Sequence, residues 1–147
     1  MNTLEVQMSL RRIHPSLQSN VYPSNRLPMY AQVPALIICN LDPDSQPGSH
    51  WVAIHINVER VGEYFDSFGR KPIEAIEGFL RRNCCMWRYN SLTVQDYLSA
   101  VCGEYCLVYI YYKFRGMRLE DFLRNFTCDS ENNDTVLVNL YRNIMDI

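Results

Sequence analysis

Cys102-Gly103-Glu104-Tyr105-Cys106-Leu107-Val108-Tyr109-Ile110-Tyr111-Tyr112-Lys113-Phe114 is the stretch on which the fold turns. It is apolar on most sides, so it must be buried as a helix or as a strand. Its length favours a central helix, and Arg115-Gly116 supplies a stop. Cys102 would then open that helix. A helix N-terminus has unpaired N–H groups and about half a positive charge, which favours thiolate over thiol. Gly103 would let a carbonyl approach the backbone, and Cys106, one turn on, should point into the core. A single cysteine at a helix start is more often structural than reactive, so position alone decides little.

Upstream the pattern changes to β. Residues 51–58, Trp-Val-Ala-Ile-His-Ile-Asn-Val, read as a strand, and residues 61–66 as its hairpin partner across a polar turn at 57–62. Residues 33–39 form another buried strand with Pro34 near its start. Residues 40–49, rich in Asp, Pro, Ser and Gly, read as a loop. Residues 72–82 have helical spacing at Ile73, Ile76, Phe79 and Leu80 behind Pro72, and 84–90 suit a further strand. Two more helices are expected over 118–126 and 133–145, the last capped by Asp134. The first thirty residues, broken by Pro15, Pro23 and Pro28, read as loops and turns. Strands followed by helices give an α+β class, and 147 residues suit one domain.

The net charge of −2 argues against a nucleic-acid partner held by overall charge. The loose cluster Arg70, Lys71, Arg81, Arg82 and Arg88 reads as solvated surface charge. The six cysteines, Cys39, Cys84, Cys85, Cys102, Cys106 and Cys128, form no CxxC pair. No signal peptide opens the chain, and no stretch reaches the ~20 apolar residues of a membrane span. The cysteines are therefore expected as reduced thiols in the cytoplasm or nucleus. A metal site from Cys102, Cys106 and His50 fails on spacing.

Three histidines are available to serve a thiolate. His14 lies in the leader. His50 and His55 are an odd number of residues apart on one strand, which puts them on opposite faces. His50 stands where a loop enters the strand, a usual place for functional residues, whereas His55 reads as packing or surface. A hairpin centred between Val58 and Glu59 sets Asp66 opposite Trp51, next to His50. A carboxylate there would hold the imidazole in one tautomer, although Asp-Ser-Phe-Gly is also turn chemistry. Gln95, seven residues before Cys102, could donate its side-chain amide to an oxyanion, with the Cys102 N–H as second donor.

His50-Trp51, then Tyr-Phe-Asp-Ser-Phe-Gly at 64–69, then Gln95, then Cys102-Gly103 resembles the adenovirus endopeptidase and the related SUMO- and NEDD8-specific isopeptidases. Val-Tyr-Pro-Ser-Asn-Arg-Leu-Pro at 21–28 and Pro-Gly-Ser-His-Trp-Val-Ala-Ile at 47–54 resemble the adenovirus-like proteases of large DNA transposons and related viruses. The resemblance covers roughly residues 20–115. It implies a papain-like fold, a small mixed sheet with a central helix carrying the nucleophile. It assigns Cys102 as nucleophile, His50 as base, Asp66 as third member and Gln95 to the oxyanion hole. The step from Gln95 to Cys102 is similar to that of the adenovirus branch. Val101 departs from the aspartate that usually precedes the cysteine in SUMO proteases, and the leader is shorter than the family's. The implied activity is an endopeptidase acting on viral or transposon-encoded precursors, in the nucleus or cytoplasm or packaged in a virion. The alternatives are an isopeptidase for ubiquitin-like modifiers and a non-catalytic binding protein on a protease scaffold. No cofactor is required for the chemistry. The resemblance also suggests a peptide activator joined by a disulfide through Cys84, with Cys85 as a rival position, and a still weaker stimulation by DNA.

Overall fold

The computed structural model describes residues 1–43 and 50–146. The expected loop at 40–49 falls largely outside the described residues. Five strands form one mixed sheet in the order β1-β2-β3-β4-β5. They are β1 (Val21–Pro23), β2 (Ala35–Asn40), β3 (Trp51–Ile56), β4 (Val61–Phe65) and β5 (Met86–Tyr89). The central pairs β2–β3 and β3–β4 are antiparallel, and the outer pairs β1–β2 and β4–β5 are parallel. Five helices pack around it: α1 (Thr3–Ile13), α2 (Glu74–Asn83), α3 (Cys102–Phe114), α4 (Leu119–Leu123) and α5 (Ser130–Met145). The expected α+β class is therefore what the chain adopts.

Alternation along β3 divides the core in two. Trp51 and Ala53 face α3 with Ile38 and Phe65, in a cluster that also takes Val6 and Leu10 of α1, Phe122 of α4 and Leu137 of α5. Val52, Ile54 and Ile56 face the other way, onto Ile76, Phe79 and Leu80 of α2. The sheet is covered on both sides, so its central strands are apolar on both faces. Helix α3 matches its expected bounds, and its residues Tyr105 to Ile110 are buried, Cys106 among them. The buried Glu63 pairs with Lys113 at 2.9 Å and Arg88 at 3.1 Å and accepts a hydrogen bond from the Tyr109 hydroxyl at 2.6 Å.

Three expectations are corrected. The leader is not all loop: α1 fills residues 3–13. Its sequence signal was the capping box in which the Asn2 side chain accepts from the Glu5 N–H and Glu5 accepts from the Asn2 N–H. The cap of α5 is Asp129, whose carboxylate accepts from the Asn132 N–H, while Asp134 bonds the Tyr105 hydroxyl at 2.8 Å. The hairpin register is one residue off, with Ala53 opposite Phe65. The turn is longer than a two-residue loop. Arg60 N–H donates to Asn57 O at 3.0 Å, and Arg60 sits at φ 61°. A type I turn followed by a left-handed residue makes an odd-length loop and shifts the pairing by one. Lesser differences of length are that α4 is shorter than expected and β5 spans only the middle of 84–90.

The α2 face supplies a direct test of this packing. Phe79 is fully buried between α2 and the sheet. Phe79→Ala should destabilise the fold by about 3–5 kcal/mol, read as a lower urea midpoint with an unchanged denaturant slope.

Candidate active site

Cys102 opens α3, as expected, so its own N–H is among those with no partner within the helix. Burial of the other side of α3 fixes that N-terminus against the edge where the chain enters β3. His50 precedes β3 directly and is buried. Asp66 follows β4 directly and is 1% exposed. The imidazole Nε2 and Asp66 Oδ1 lie 2.7 Å apart. Cys102 lines the same cavity as His50 and interacts with its ring; with Nε2 engaged by Asp66, Nδ1 is the nitrogen left for the thiol. The off-by-one register does not prevent the contact, because both side chains lie beyond the ladder, where pairing no longer fixes their faces.

The electrostatics follow from these contacts. Burial alone would push the His50 imidazole down. The hydrogen bonds and negative charge of Asp66 and Cys102 outweigh it and hold the ring up at about 9. Burial likewise pushes the Cys102 thiol up. The hydrogen bond from His50, the Trp51 backbone N–H and the imidazolium charge reverse this, and the thiol lies below its ordinary value. Both shifts act in the direction of thiolate beside imidazolium.

Asp66 is itself held. Its Oδ1 accepts from the Phe68 N–H at 2.9 Å. Its backbone N–H donates to Asn90 Oδ1 at 2.9 Å, and Asn90 Nδ2 returns a bond to Asp66 O at 2.6 Å. Ser67 O accepts from the N–H groups of Val94 and Gln95, and Ser67 Oγ donates to Gln95 Oε1 at 2.5 Å. Gly69, at φ 69°, closes the turn against Leu92 and Thr93, where a Cβ would meet backbone at 2.7 Å. The turn bearing Asp66 and the loop bearing Gln95 are thus one hydrogen-bonded unit. Sequence reading missed Ser67 and Asn90. Their only sequence signal was placement, Ser67 in the Asp-Ser-Phe-Gly turn and Asn90 at a strand end.

Gln95 is buried at 1% exposure and lines a cavity of about 200 Å³ with His50, Trp51, Phe68, Ser99, Cys102 and Met1. Its Nε2 donates to Ser99 O and Oγ, both at 3.2 Å. The four residues expected at the site are therefore together. Met1 was not expected there. Its carbonyl accepts from Trp51 Nε1 at 2.9 Å, and its side chain lies over Gly103, where an added Cβ would come within 3.0 Å of its sulfur. The room that Gly103 gives is used by Met1, not left for a carbonyl as expected.

His55 lies elsewhere. It lines a separate cavity with Lys113 and Phe114 at the C-terminal end of α3. Burial and the Lys113 charge push it down to about 4, against the pull of Glu63. The expectation that the two histidines serve different places holds. Cys84 is half-buried, and burial raises its thiol. Its sulfur faces Gly62, and Cys84 is not among the residues that line the cleft. No group of three or more metal-ligating side chains occurs among the described residues, and none of the described helices is long and apolar enough to cross a membrane.

With this geometry in place, the fold can be compared. The chain is similar to the selenomethionine form of the ASFV pS273R protease, at 22% identity and a TM-score of 0.51. A second structure of the ASFV pS273R protease aligns at 22% identity and a TM-score of 0.49. Each alignment covers 69% of this chain and 42% of the protease, so the chain spans less than half the length of the protease it matches. This likeness shows the fold, a mixed sheet with helices arranged as in that protease. No protein-family model matches the chain. No curated protein matches it either.

The shifted pair predicts a pH signature. The His50 ring is raised, so it keeps its positive charge above the ordinary histidine range and loses it as pH rises through about 9. Alkylation of Cys102 by iodoacetamide should already be fast near neutral pH. In His50→Ala the onset should move up toward the ordinary thiol range, measured as the rate against pH.

Proposed function

We propose that the chain is a cysteine peptidase that hydrolyses peptide bonds through Cys102, His50 and Asp66. One observation carries this reading: the imidazole of His50 bonds the Asp66 carboxylate at 2.7 Å and shares one cavity with Cys102, the first residue of a buried helix. A structural cysteine has no need of a buried imidazolium partner, and the neighbouring Cys106 has none: burial pushes its thiol well above the ordinary value.

In this reading the Cys102 thiolate attacks the scissile carbonyl carbon and the carbonyl oxygen becomes an oxyanion. The Cys102 N–H donates to it. Gln95, on the cavity wall, supplies the second donor by turning an Nε2 N–H from the Ser99 oxygens toward the oxyanion. His50 gives its proton to the departing amine, which leaves a thioester. Water then attacks the thioester, His50 taking its proton, and Cys102 leaves as thiolate with release of the acid. Asp66 orients His50 and stabilises its charged form throughout.

The finer assignment follows the resemblance to the adenovirus endopeptidase. We take the substrates to be viral or transposon-encoded precursor polypeptides, met in the nucleus or cytoplasm or inside a virion. The similar solved structure is that of a protease, which agrees with a polypeptide substrate. No cofactor enters the chemistry. A peptide activator joined through a disulfide would meet Cys85 as the more exposed of the adjacent thiols, with Cys84 half-buried behind it.

Three variants test the roles. Cys102→Ala should abolish hydrolysis of a fluorogenic peptide without loss of fold by circular dichroism. Asp66→Asn should lower kcat and narrow the pH range over which the enzyme is active, since the imidazolium loses its partner. Gln95→Ala should lower kcat by about 10²–10³, while alkylation of Cys102 by iodoacetamide, which forms no oxyanion, should change little. A parallel fall in both rates would make Gln95 a packing residue.

A further inference from the structure

The basic cluster Arg70, Lys71, Arg81, Arg82 and Arg88 does not behave as one set. Arg81 pairs with Glu77 at 2.8 Å, and Arg88 pairs with Glu63 and Glu120. Arg82 donates to the Met29 carbonyl at 3.4 Å. Arg70 and Lys71 have no carboxylate partner among the described residues.

Arg70 is nevertheless not loose. Its guanidinium carbon lies 5.1 Å from the centre of the Phe68 ring and 5.9 Å from that of Tyr97. Those rings belong to a pile that begins at the catalytic imidazole. Phe68 stacks on His50 at 4.7 Å and 17°, and Tyr97 stacks on Phe68 at 5.3 Å and 16°. The backbone beneath is fixed by Gly69, whose N–H donates to Asp66 O at 2.7 Å. A guanidinium laid on aromatic faces keeps its N–H edge free and has lost part of its side-chain entropy already. Beside it, Tyr97 is 66% exposed and Leu98 95% exposed, on the loop that carries Gln95 into the cleft. The rim beside His50 therefore presents an oriented cation and apolar surface, and the next residue, Lys71, is exposed.

We propose that Arg70 is a specificity-determining residue whose guanidinium edge takes the carboxylate of an Asp or Glu side chain of the polypeptide substrate. It stands two ring contacts from His50. An extended chain advances about 3.3–3.6 Å per residue, so the acidic residue falls within about three residues of the scissile bond. Tyr97 and Leu98 cover the aliphatic part of the same substrate segment. This proposal rests on the peptidase reading given above and names the substrate preference of that site.

The test is cleavage of a mixed peptide library by the wild-type chain, Arg70→Ala and Arg70→Glu, with cut sites read by mass spectrometry. Arg70 is exposed, and near-ultraviolet circular dichroism checks that each variant keeps its fold. The wild type should favour Asp or Glu over Asn or Gln by about two- to fivefold at one position near the cut. Arg70→Ala should bring that ratio to about one, and Arg70→Glu should turn the preference to Lys or Arg. Cuts with no acidic preference, an acidic preference that survives Arg70→Glu, or loss of all cutting in both folded variants would overturn the subsite and leave the peptidase reading standing. No cuts by the wild type would overturn both.

Discussion

The first turns of α3 have almost no solvent-facing side. Tyr105 to Ile110 are all buried, against the sheet on one side and against α1 and α5 on the others. A helix held on every side cannot rotate or slide without opening cavities, and each buried side chain lost from such a core costs a few kcal/mol. The position of Cys102 follows from that burial rather than from any contact of its own. So does the position of the helix N-terminus, beside His50 and Trp51 where the chain enters β3. The catalytic reading needs a thiolate at a fixed place, and the core of the protein supplies the fixing.

The second constraint acts between loops. The Asp66–Gly69 turn and the loop after β5 exchange bonds through Asn90, Ser67, Gln95 and Thr93. The carboxylate that orients His50 and the amide assigned to the oxyanion are thereby set relative to each other. Neither residue is on a helix or a strand. Their order comes from buried side-chain to backbone bonds, which would cost desolvation if broken. The ring of His50 has a further wall in Phe68, stacked on its face. The imidazole is thus fixed in plane by its hydrogen bond to Asp66 and across its plane by an aromatic ring.

How much of this was readable in advance depended on the range of the interactions. The bounds of α3 and the central strands follow from local apolar pattern, which needs no knowledge of partners. His50, Asp66, Gln95 and Cys102 could be named because a short ordered pattern carries them; His50, Gln95 and Cys102 line one cavity, and Asp66 bonds His50 from behind it. The hairpin register was missed by one residue because Arg60 takes a left-handed conformation that an arginine does not advertise. Helix α1 was missed because its buried face is short, Val6, Ser9 and Leu10, and the prolines that follow it dominate the local pattern. Ser67 and Asn90 join segments more than twenty residues apart, and a single sequence does not reveal such bonds. The cleft position of Met1 was hidden for the same reason.

The central claim is that Cys102 is a nucleophile because of where the fold puts it, and one labelling experiment addresses it most directly. The native chain, treated with a peptidyl thiol-reactive probe and digested, shows by mass spectrometry which cysteine was modified. Cys85 and Cys128 are exposed, whereas Cys102 is only 8% exposed, so simple access would favour the first two. The account predicts modification at Cys102, abolished in His50→Ala. Modification confined to Cys85 and Cys128, with Cys102 unmodified, would contradict it.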